Sequence, residues 1–438
     1  MEASNRLKRL LMLCYYYPPI SSAGTHRSVG FTQWLRDYGW QPLVLTVRQS
    51  RIRWEPRCEV VPPHVEVVRS FEWNLHGVLT LLTGILNRLT DLLRLPRRSS
   101  TLYRWCLPDI QVAWFSTIRG VLLARRCDCV YVSCSPFSSA LSGCVIKLAT
   151  GRPLLLDFRD PWALNQHSHH SRLQRRILRG MERWALGHCD ALILNTPGAE
   201  QLYRSRYPEY AHKMTCIPNG FDRLNVAPAS RPRDVFTVMH VGDFYRTRTP
   251  ERLLEALCAL NDPGIEFVHI GPASDVLTRF TARLRIRHIE RIPHEDALNL
   301  MKTASLLYLV QGWEDTVTEY VAVASKTYEY LATGIPVLAE VPPGDNADII
   351  RRYAAKAWVV TSPTVDAVKT ALQEARTEAD GFEPRVSQDF IDTFSRERLT
   401  ASLSAVLDRV LSPESDRSGQ PAAKLELVSR QVRADVRD

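Results

Sequence analysis

The chain has 438 residues, too many for one ordinary hydrophobic core, so two or three domains of usual size are expected. At 45% hydrophobic and 24% charged residues it has the make-up of a packed soluble protein, which excludes a mainly disordered, collagen-like or coiled-coil chain. The net charge of +9 is unevenly spread: residues 1–230 carry 30 Lys/Arg against 16 Asp/Glu and the remainder 26 against 31, so the first half is expected to face something anionic.

No run approaches 18 apolar residues, so no spanning helix is expected. The apolar run near the N-terminus leads into Tyr15-Tyr16-Tyr17-Pro18-Pro19, where a signal peptide would carry small residues, and reads as a first strand, Leu10–Tyr16. Further strands are expected at Leu43–Val47, Val65–Val68, Cys129–Cys134, Leu154–Phe158 and Ala191–Asn195, with helices at Ser28–Tyr38, Trp114–Arg126, Ser138–Thr150 and Arg172–Leu186. Most of these strands are continuously apolar, as strands covered on both faces by helices must be, which predicts a parallel doubly wound sheet. The stripe Leu75–Leu95, followed by Arg94, Arg97 and Arg98, fits a helix lying on a membrane and also a core-facing helix, the reading preferred here. The Arg172–Arg183 segment offers a second basic face. Ten cysteines without Cys-x-x-Cys spacing read as free thiols in a reducing cytoplasm.

The second half repeats the scheme. Strands are expected at Phe236–Val241, Ile265–Ile270, Leu306–Val310 and Pro336–Val341, and helices at Pro250–Leu260, Glu295–Thr303, Lys326–Thr333 and Val365–Ala375. The turn chemistry of Pro218-Asn219-Gly220 and Pro228–Pro232 marks the join. The expected division is a first domain at 1–225, a second at 226–411 and a polar tail at 412–438. Both domains are α/β and Rossmann-like, facing each other across a cleft. Ligands of such sheets bind beyond the carboxyl ends of the strands. Neither the dinucleotide fingerprint nor the P-loop pattern occurs, and no zinc-finger spacing, RNP-like motif or polybasic tract points to nucleic acid.

Two segments carry chemistry. After Phe236–Val241 comes Gly242-Asp243-Phe244-Tyr245-Arg246-Thr247-Arg248, then Thr249-Pro250 as N-cap and first helical residue. A helix N-terminus beside Arg246 and Arg248 suits a pyrophosphate, although both arginines could equally be solvated. In Ser325–Ala339, Ser325 suits an N-cap and Gly334 a helix stop, and Lys326 and Glu329 share one face. A cation for phosphate and a carboxylate for a ribose diol are what a nucleoside diphosphate needs, whereas a helical ion pair is the plain alternative.

Four segments in order then resemble the retaining glycosyltransferase family 4. They are Tyr17-Pro18-Pro19 with Gly24 and Arg27, Leu156–Trp162 (Leu-Asp-Phe-Arg-Asp-Pro-Trp), Ile217–Asp222 (Ile-Pro-Asn-Gly-Phe-Asp), and Lys326-x-x-Glu329-Tyr330-Leu331-Ala332 with Gly334 and Pro336. The resemblance implies the GT-B fold of two facing Rossmann-like domains. It also implies a nucleotide-diphosphate sugar donor and transfer with retention to a cell-surface glycan or lipid-linked acceptor. Glu329 matches the acid that binds the donor ribose, while the family's first acid falls at Val321 and Glu319 stands nearby. Arg248 matches a phosphate-binding lysine, and Asp243 replaces an arginine, a loss that Arg246 or Lys326 would make good. Gly24 is the single matching glycine of the first loop, where it permits close approach of the backbone to phosphate.

Arg159 and Asp160, at the end of a strand, are the candidates for contacting acceptor or reacting sugar; the alternative is a pair stapling the strand to the Trp162 loop. His167, His169 and His170 read as a polar loop rather than a metal site, and no Asp-x-Asp occurs, so no metal or cofactor is expected. The expected partners are the donor, a glycan or lipid-pyrophosphate acceptor and an anionic membrane, with no nucleic acid. The expected location is cytoplasmic, on the inner membrane face. Two readings compete with transfer: another GT-B nucleotide-sugar enzyme such as an epimerase, and a non-catalytic sugar-nucleotide-binding subunit.

Overall fold

The computed structural model describes residues 6–20, 22–48, 60–92, 106–165, 170–222, 235–244, 247–313, 320–379 and 382–412. The chain forms two compact units, residues 1–218 with 399–438, and residues 219–398.

The first unit holds seven strands: β1 (Lys8–Cys14), β2 (Trp40–Val47), β3 (Glu66–Ser70), β4 (Cys129–Cys134), β5 (Leu154–Phe158), β6 (Ala191–Leu194) and β7 (Met214–Cys216). They lie in the order β3-β2-β1-β4-β5-β6-β7, and every pair is parallel. Leu10 to Leu13 of β1 are fully buried, as a central strand with helices on both faces requires. The second unit holds β8 (Phe236–Val241), β9 (Ile265–Ile270), β10 (Ile286–Ile289), β11 (Leu306–Val310), β12 (Val337–Glu340) and β13 (Ala357–Val360). Their order is β10-β9-β8-β11-β12-β13, again all parallel. Both sheets are therefore α/β and doubly wound, as the apolar runs predict. The order reverses at β1/β4 in one unit and at β8/β11 in the other, the places where such sheets open a crevice.

Three edge strands, β7, β10 and β13, are short and partly exposed; β7 and β10 lack the continuous apolar run that marks the inner strands, and the four apolar residues of β13 are too few to stand out. The first helix runs over Ala23–Trp34, five residues earlier than expected, because the Ser22 hydroxyl caps it by accepting from the Thr25 N–H. Gly24 is accordingly in a first helical turn, not in a loop. The helix expected at Trp114–Arg126 is a short 3₁₀ turn at Ile110–Ala113 followed by a helix at Ser116–Ala124.

The expected division at 225/226 also differs from the structure. The break falls at Pro218, and the last helix, Arg396–Leu411, enters the first unit's core through Leu399, Leu403, Val406, Leu407 and Val410, beside Leu35 and Trp40. Asp408 fixes it there, accepting from Lys8 Nζ at 2.7 Å and Trp40 Nε1 at 3.2 Å. The spacing of these apolar residues shows that the helix needs a core but not which one.

The helix Leu75–Leu92 is likewise not the core helix preferred from sequence. Thr83 is its one buried residue, while Leu81 is 65% and Leu92 80% exposed. Arg94, Arg97 and Arg98 lie outside the described residues.

Candidate functional site

In the first unit, three of the four sequence motifs meet in one buried bridge. Arg27 projects from the first helix. Its Nε donates to Asp157 Oδ2 at 2.8 Å and its Nη2 to Oδ1 at 3.0 Å; further bonds run to the carbonyls of Ile217 (2.9 Å) and Pro218 (2.7 Å). Tyr131 of β4 donates its hydroxyl to the same carboxylate. The two side chains are 4% and 0% exposed, so each nitrogen of the fork donates to an acceptor shielded from water. This bridge holds the first helix, β4, β5 and the Ile217-Pro218 turn together.

Arg159 follows β5 and turns toward the carboxyl ends of β1 and β4. It donates to the Ser135 carbonyl, lies 5.4 Å above the Tyr16 ring and fills the space over Gly24, where a Cβ would collide with its guanidinium. Gly24 is thus needed for the arginine's approach, not for an unusual backbone angle. The buried Arg159 Nε has no hydrogen-bond partner. Within electrostatic reach of Tyr16 lie Glu72, which accepts from Tyr15, and Asp109, which accepts from Ser138. Burial pushes the Tyr16 phenol and both carboxyls up. Asp160, next in the chain, is exposed. The segment after it is rigidly held: Tyr203 Oη accepts from the Trp162 N–H at 2.8 Å, Glu182 from the Ala163 N–H at 3.1 Å, and Trp162 stacks on Phe137 at 5.0 Å.

In the second unit, β8 is followed by Gly242, whose φ of 113° suits glycine. The helix Ser325–Thr333 lies beside it. Its buried face anchors it through Thr327, which bonds Asn346 at 2.7 Å, and Tyr330, whose hydroxyl accepts from the Val241 N–H at 2.9 Å. That leaves Lys326 and Glu329 on the other face. Ser325 is the first helical residue and not the cap, a position taken by Ala324 without a side-chain bond. Similarly the β8 loop's helix begins at Glu251 with Pro250 as its cap.

Lys326 sits over Gly242: a Cβ there would be 2.8 Å from Nζ. Burial, with Arg248 adding to it, pushes this ammonium down to about 8, against the opposing pull of Asp243 and Glu329. Such a half-buried cation with a second cation beside it is set up to receive an anion. Glu329 does not pair with Lys326 as the plain ion-pair reading would have it; its Oε1 is 2.9 Å from His294 Nε2, at the start of the helix His294–Met301.

The structure therefore groups Gly242, Arg248, Lys326 and Glu329 in one unit, and Gly24 and Arg159 in the other. Arg246, Glu319, His167 and His169 lie outside the described residues. Sequence reasoning missed His240, His269, His294 and Arg291. Arg291 meets Asp243 at 2.8 and 2.9 Å, so the position where an arginine was expected is occupied by a carboxylate holding an arginine from another loop. Alternating histidines in two predicted strands, one residue before each strand's end, were the available signal for His240 and His269. Among the described residues no group of three or more His, Cys, Asp or Glu side chains is placed to hold a metal ion, and no helix is long and apolar enough to cross a membrane.

Residues 25–220 match the sequence model of the glycosyl transferase 4-like domain. No curated protein matches the chain. Among solved structures, Anabaena Alr3699/HepE in complex with UDP and glucose is similar at 15% identity and a TM-score of 0.60, over 92% of this chain and 99% of that one. The lipopolysaccharide outer core galactosyltransferase WaaB in its apo form is similar at 12% identity and 0.56, over 91% and 99%. The α,α-trehalose 6-phosphate synthase of Burkholderia multivorans is similar at 13% and 0.56, over 98% and 100%. With the two parallel sheets, these likenesses give the chain the two-domain, glycosyltransferase-like GT-B fold.

Proposed function

We propose that the chain is a glycosyltransferase that takes its sugar from a nucleotide-diphosphate donor. The observation that carries this reading is the grouping of Lys326, Arg248 and Gly242 at the carboxyl end of β8, beside the β8/β11 switch point, with Glu329 one helical turn from the lysine. Lys326 and Arg248 hold the diphosphate, and Glu329, released from His294, accepts from the ribose diol. HepE, whose structures carry UDP and UDP-glucose, shares the fold and supports a uridine nucleotide as the first to test.

In the reaction, the bond from the anomeric carbon to the β-phosphate oxygen breaks and an acceptor hydroxyl oxygen bonds the same face. Its proton passes to the departing phosphate, so configuration is retained without a metal. The two cations stabilise the charge that grows on that phosphate. Arg159 and Asp160 are assigned to the acceptor or the reacting sugar in the first domain, consistent with the unpartnered Arg159 Nε.

The acceptor is a cell-surface glycan or its lipid carrier, met at the cytoplasmic face of an anionic membrane. Supporting this, the large hydrophobic side chains that stand exposed among the described residues all fall between Val60 and Trp184. The helix Arg172–His188 there exposes Leu173, Ile177 and Trp184 among Arg172, Arg175, Arg176, Arg179 and Arg183, the pattern of a helix lying at a lipid interface.

Calorimetry and thermal shift with UDP, GDP, ADP and their sugars test the donor site, since a ligand of the native state raises its apparent stability. One nucleotide is expected to bind and Glu329→Ala to abolish it. A Glu329→Ala protein that binds as wild type overturns the assignment. Binding without transfer or donor hydrolysis favours the non-catalytic subunit, and an altered sugar without acceptor favours the epimerase.

A further inference from the structure

Three histidines stand in register on adjacent parallel strands: His240 of β8 pairs with His269 of β9, and His269 with His288 of β10. Equal register places their side chains on one face of the sheet. The rings stack at 5.3 and 5.6 Å with interplanar angles of 20° and 14°, and Phe244 covers the first two at 4.1 and 4.6 Å.

A chain of hydrogen bonds runs through this stack. Lys326 Nζ is 3.2 Å from His240 Nε2, His240 Nδ1 is 3.2 Å from His269 Nδ1, and His269 Nε2 is 3.1 Å from the Pro272 carbonyl oxygen. Its direction follows from its ends. A carbonyl only accepts, so His269 Nε2 carries a hydrogen. Burial keeps both imidazoles neutral, holding His269 down at about 4 and His240 well below its ordinary range. Each ring then has one N–H. His269 Nδ1 must accept, His240 Nδ1 must donate to it, and His240 Nε2 must accept from the lysine. One assignment satisfies every atom from ammonium to carbonyl.

We propose that His240 and His269 are positioning residues of the donor site: a two-imidazole relay of fixed polarity that fixes the Lys326 ammonium over Gly242 by one N–H and leaves its other donors for the nucleotide's diphosphate. The relay ends on a carbonyl, which cannot pass a proton on, so it orients the cation and does not move its charge. Lysine is a point charge on a flexible stem, and holding it in place before the ligand arrives removes an ordering cost from binding. His288, which bonds the Gly271 carbonyl at 2.9 Å, flanks the stack without joining the chain.

This inference rests on Lys326 being a phosphate cation, and the experiment separates the two. Histidine ring-nitrogen NMR of the unliganded protein reads the relay alone: a protonated Nδ1 in His240 and a protonated Nε2 in His269 are expected, and the opposite tautomer in either ring overturns it. Titration with UDP, GDP and ADP then reads its role. His240→Phe keeps a stacking ring and removes both nitrogens; His240→Gln keeps one acceptor and one donor. Loss of a hydrogen bond to a charged group predicts about tenfold weaker nucleotide binding for His240→Phe, with affinity near wild type for His240→Gln.

Affinity is also expected to fall as pH rises through the lysine's titration. That midpoint moves down in His240→Phe, because the ammonium has lost its acceptor while Arg248, Asp243 and Glu329 still face it. Equal affinities and midpoints in the two variants overturn the proposal. Lys326→Met binding as tightly as wild type, or no nucleotide binding wild type, overturns the donor-site reading and the relay's role in it, while the tautomers still report whether the relay exists.

Discussion

The two units share one strand order over six strands, the first adding β7 at its edge, and each places an arginine–carboxylate pair near the switch point of its sheet, yet they bury those pairs to opposite degrees. In the first, Arg27 and Asp157 are 4% and 0% exposed and tie four separate segments together. In the second, Asp243 and Arg291 are 48% and 43% exposed and join two loops. Their surfaces differ in the same sense. The first unit carries the exposed hydrophobic side chains and the surplus of Lys/Arg, whereas the second presents neither among its described residues. One topology carries a buried ion pair and an exposed apolar face, and the other an exposed ion pair on a polar surface.

The largest test of that contrast is Arg27→Met. Removing one partner of a buried bridge leaves the Asp157 carboxyl without its counter-ion, with the Tyr131 hydroxyl still donating to it, so about 3–5 kcal/mol of stability is expected to go, read by urea unfolding. A loss below about 1 kcal/mol would place the bridge with ordinary surface pairs. Next is the apolar face. Leu81→Glu with Leu89→Glu changes side chains that are 65% and 50% exposed, so the fold is expected to stand while partition onto phosphatidylglycerol vesicles drops at least tenfold, given about 1.5–3 kcal/mol for each fully buried Leu. Unchanged vesicle binding, with wild type sedimenting as a dimer, would assign the face to a second copy of the chain.

A third test acts on the second unit through pH. Burial holds His240 and His269 below their ordinary value of 6.5, with His288 and Lys326 adding to the depression of His269 and Asp243 opposing it. The unfolded chain gains protons on these rings near pH 6.5, but folded His269 does so only near 4. Stability is therefore complete above the unfolded value and is lost as pH falls from there toward 4. Unfolding titrations should show this acid-side slope in wild type and a shallower one in His240→Phe and His269→Phe.

These differences also mark what the sequence could reveal. The inner strands were legible because a strand covered on both faces must be apolar throughout; β10, whose ends are half-buried and whose middle is exposed, gave no such run. The Lys326/Glu329 face was legible because helical spacing alone sets which residues share a side. The partners of those residues were not, since His294 lies 35 positions from Glu329 and His240 86 from Lys326, brought near by strand order. Arg27, Asp157 and Pro218 were each picked out as motif residues, but that they form one bridge depended on distances of 130 and 191 residues along the chain. For the same reason the pattern of Arg396–Leu411 was readable while its destination was not.

The smallest expected effect is the sharpest check on the comparison. Asp243→Asn removes an exposed pair, so stability should change by no more than about 1 kcal/mol, against several for Arg27→Met. Its effect on a ligand should run the other way. Asp243 is an anion beside Lys326, so removing its charge should raise nucleoside diphosphate affinity by about two- to threefold at low salt and less at high salt, where exposed charges are screened. Calorimetric titration at two ionic strengths reads this directly. If Asp243→Asn instead weakens binding, the Asp243–Arg291 pair is itself part of the ligand's frame. The second unit would then depend on its exposed ion pair as the first depends on its buried one.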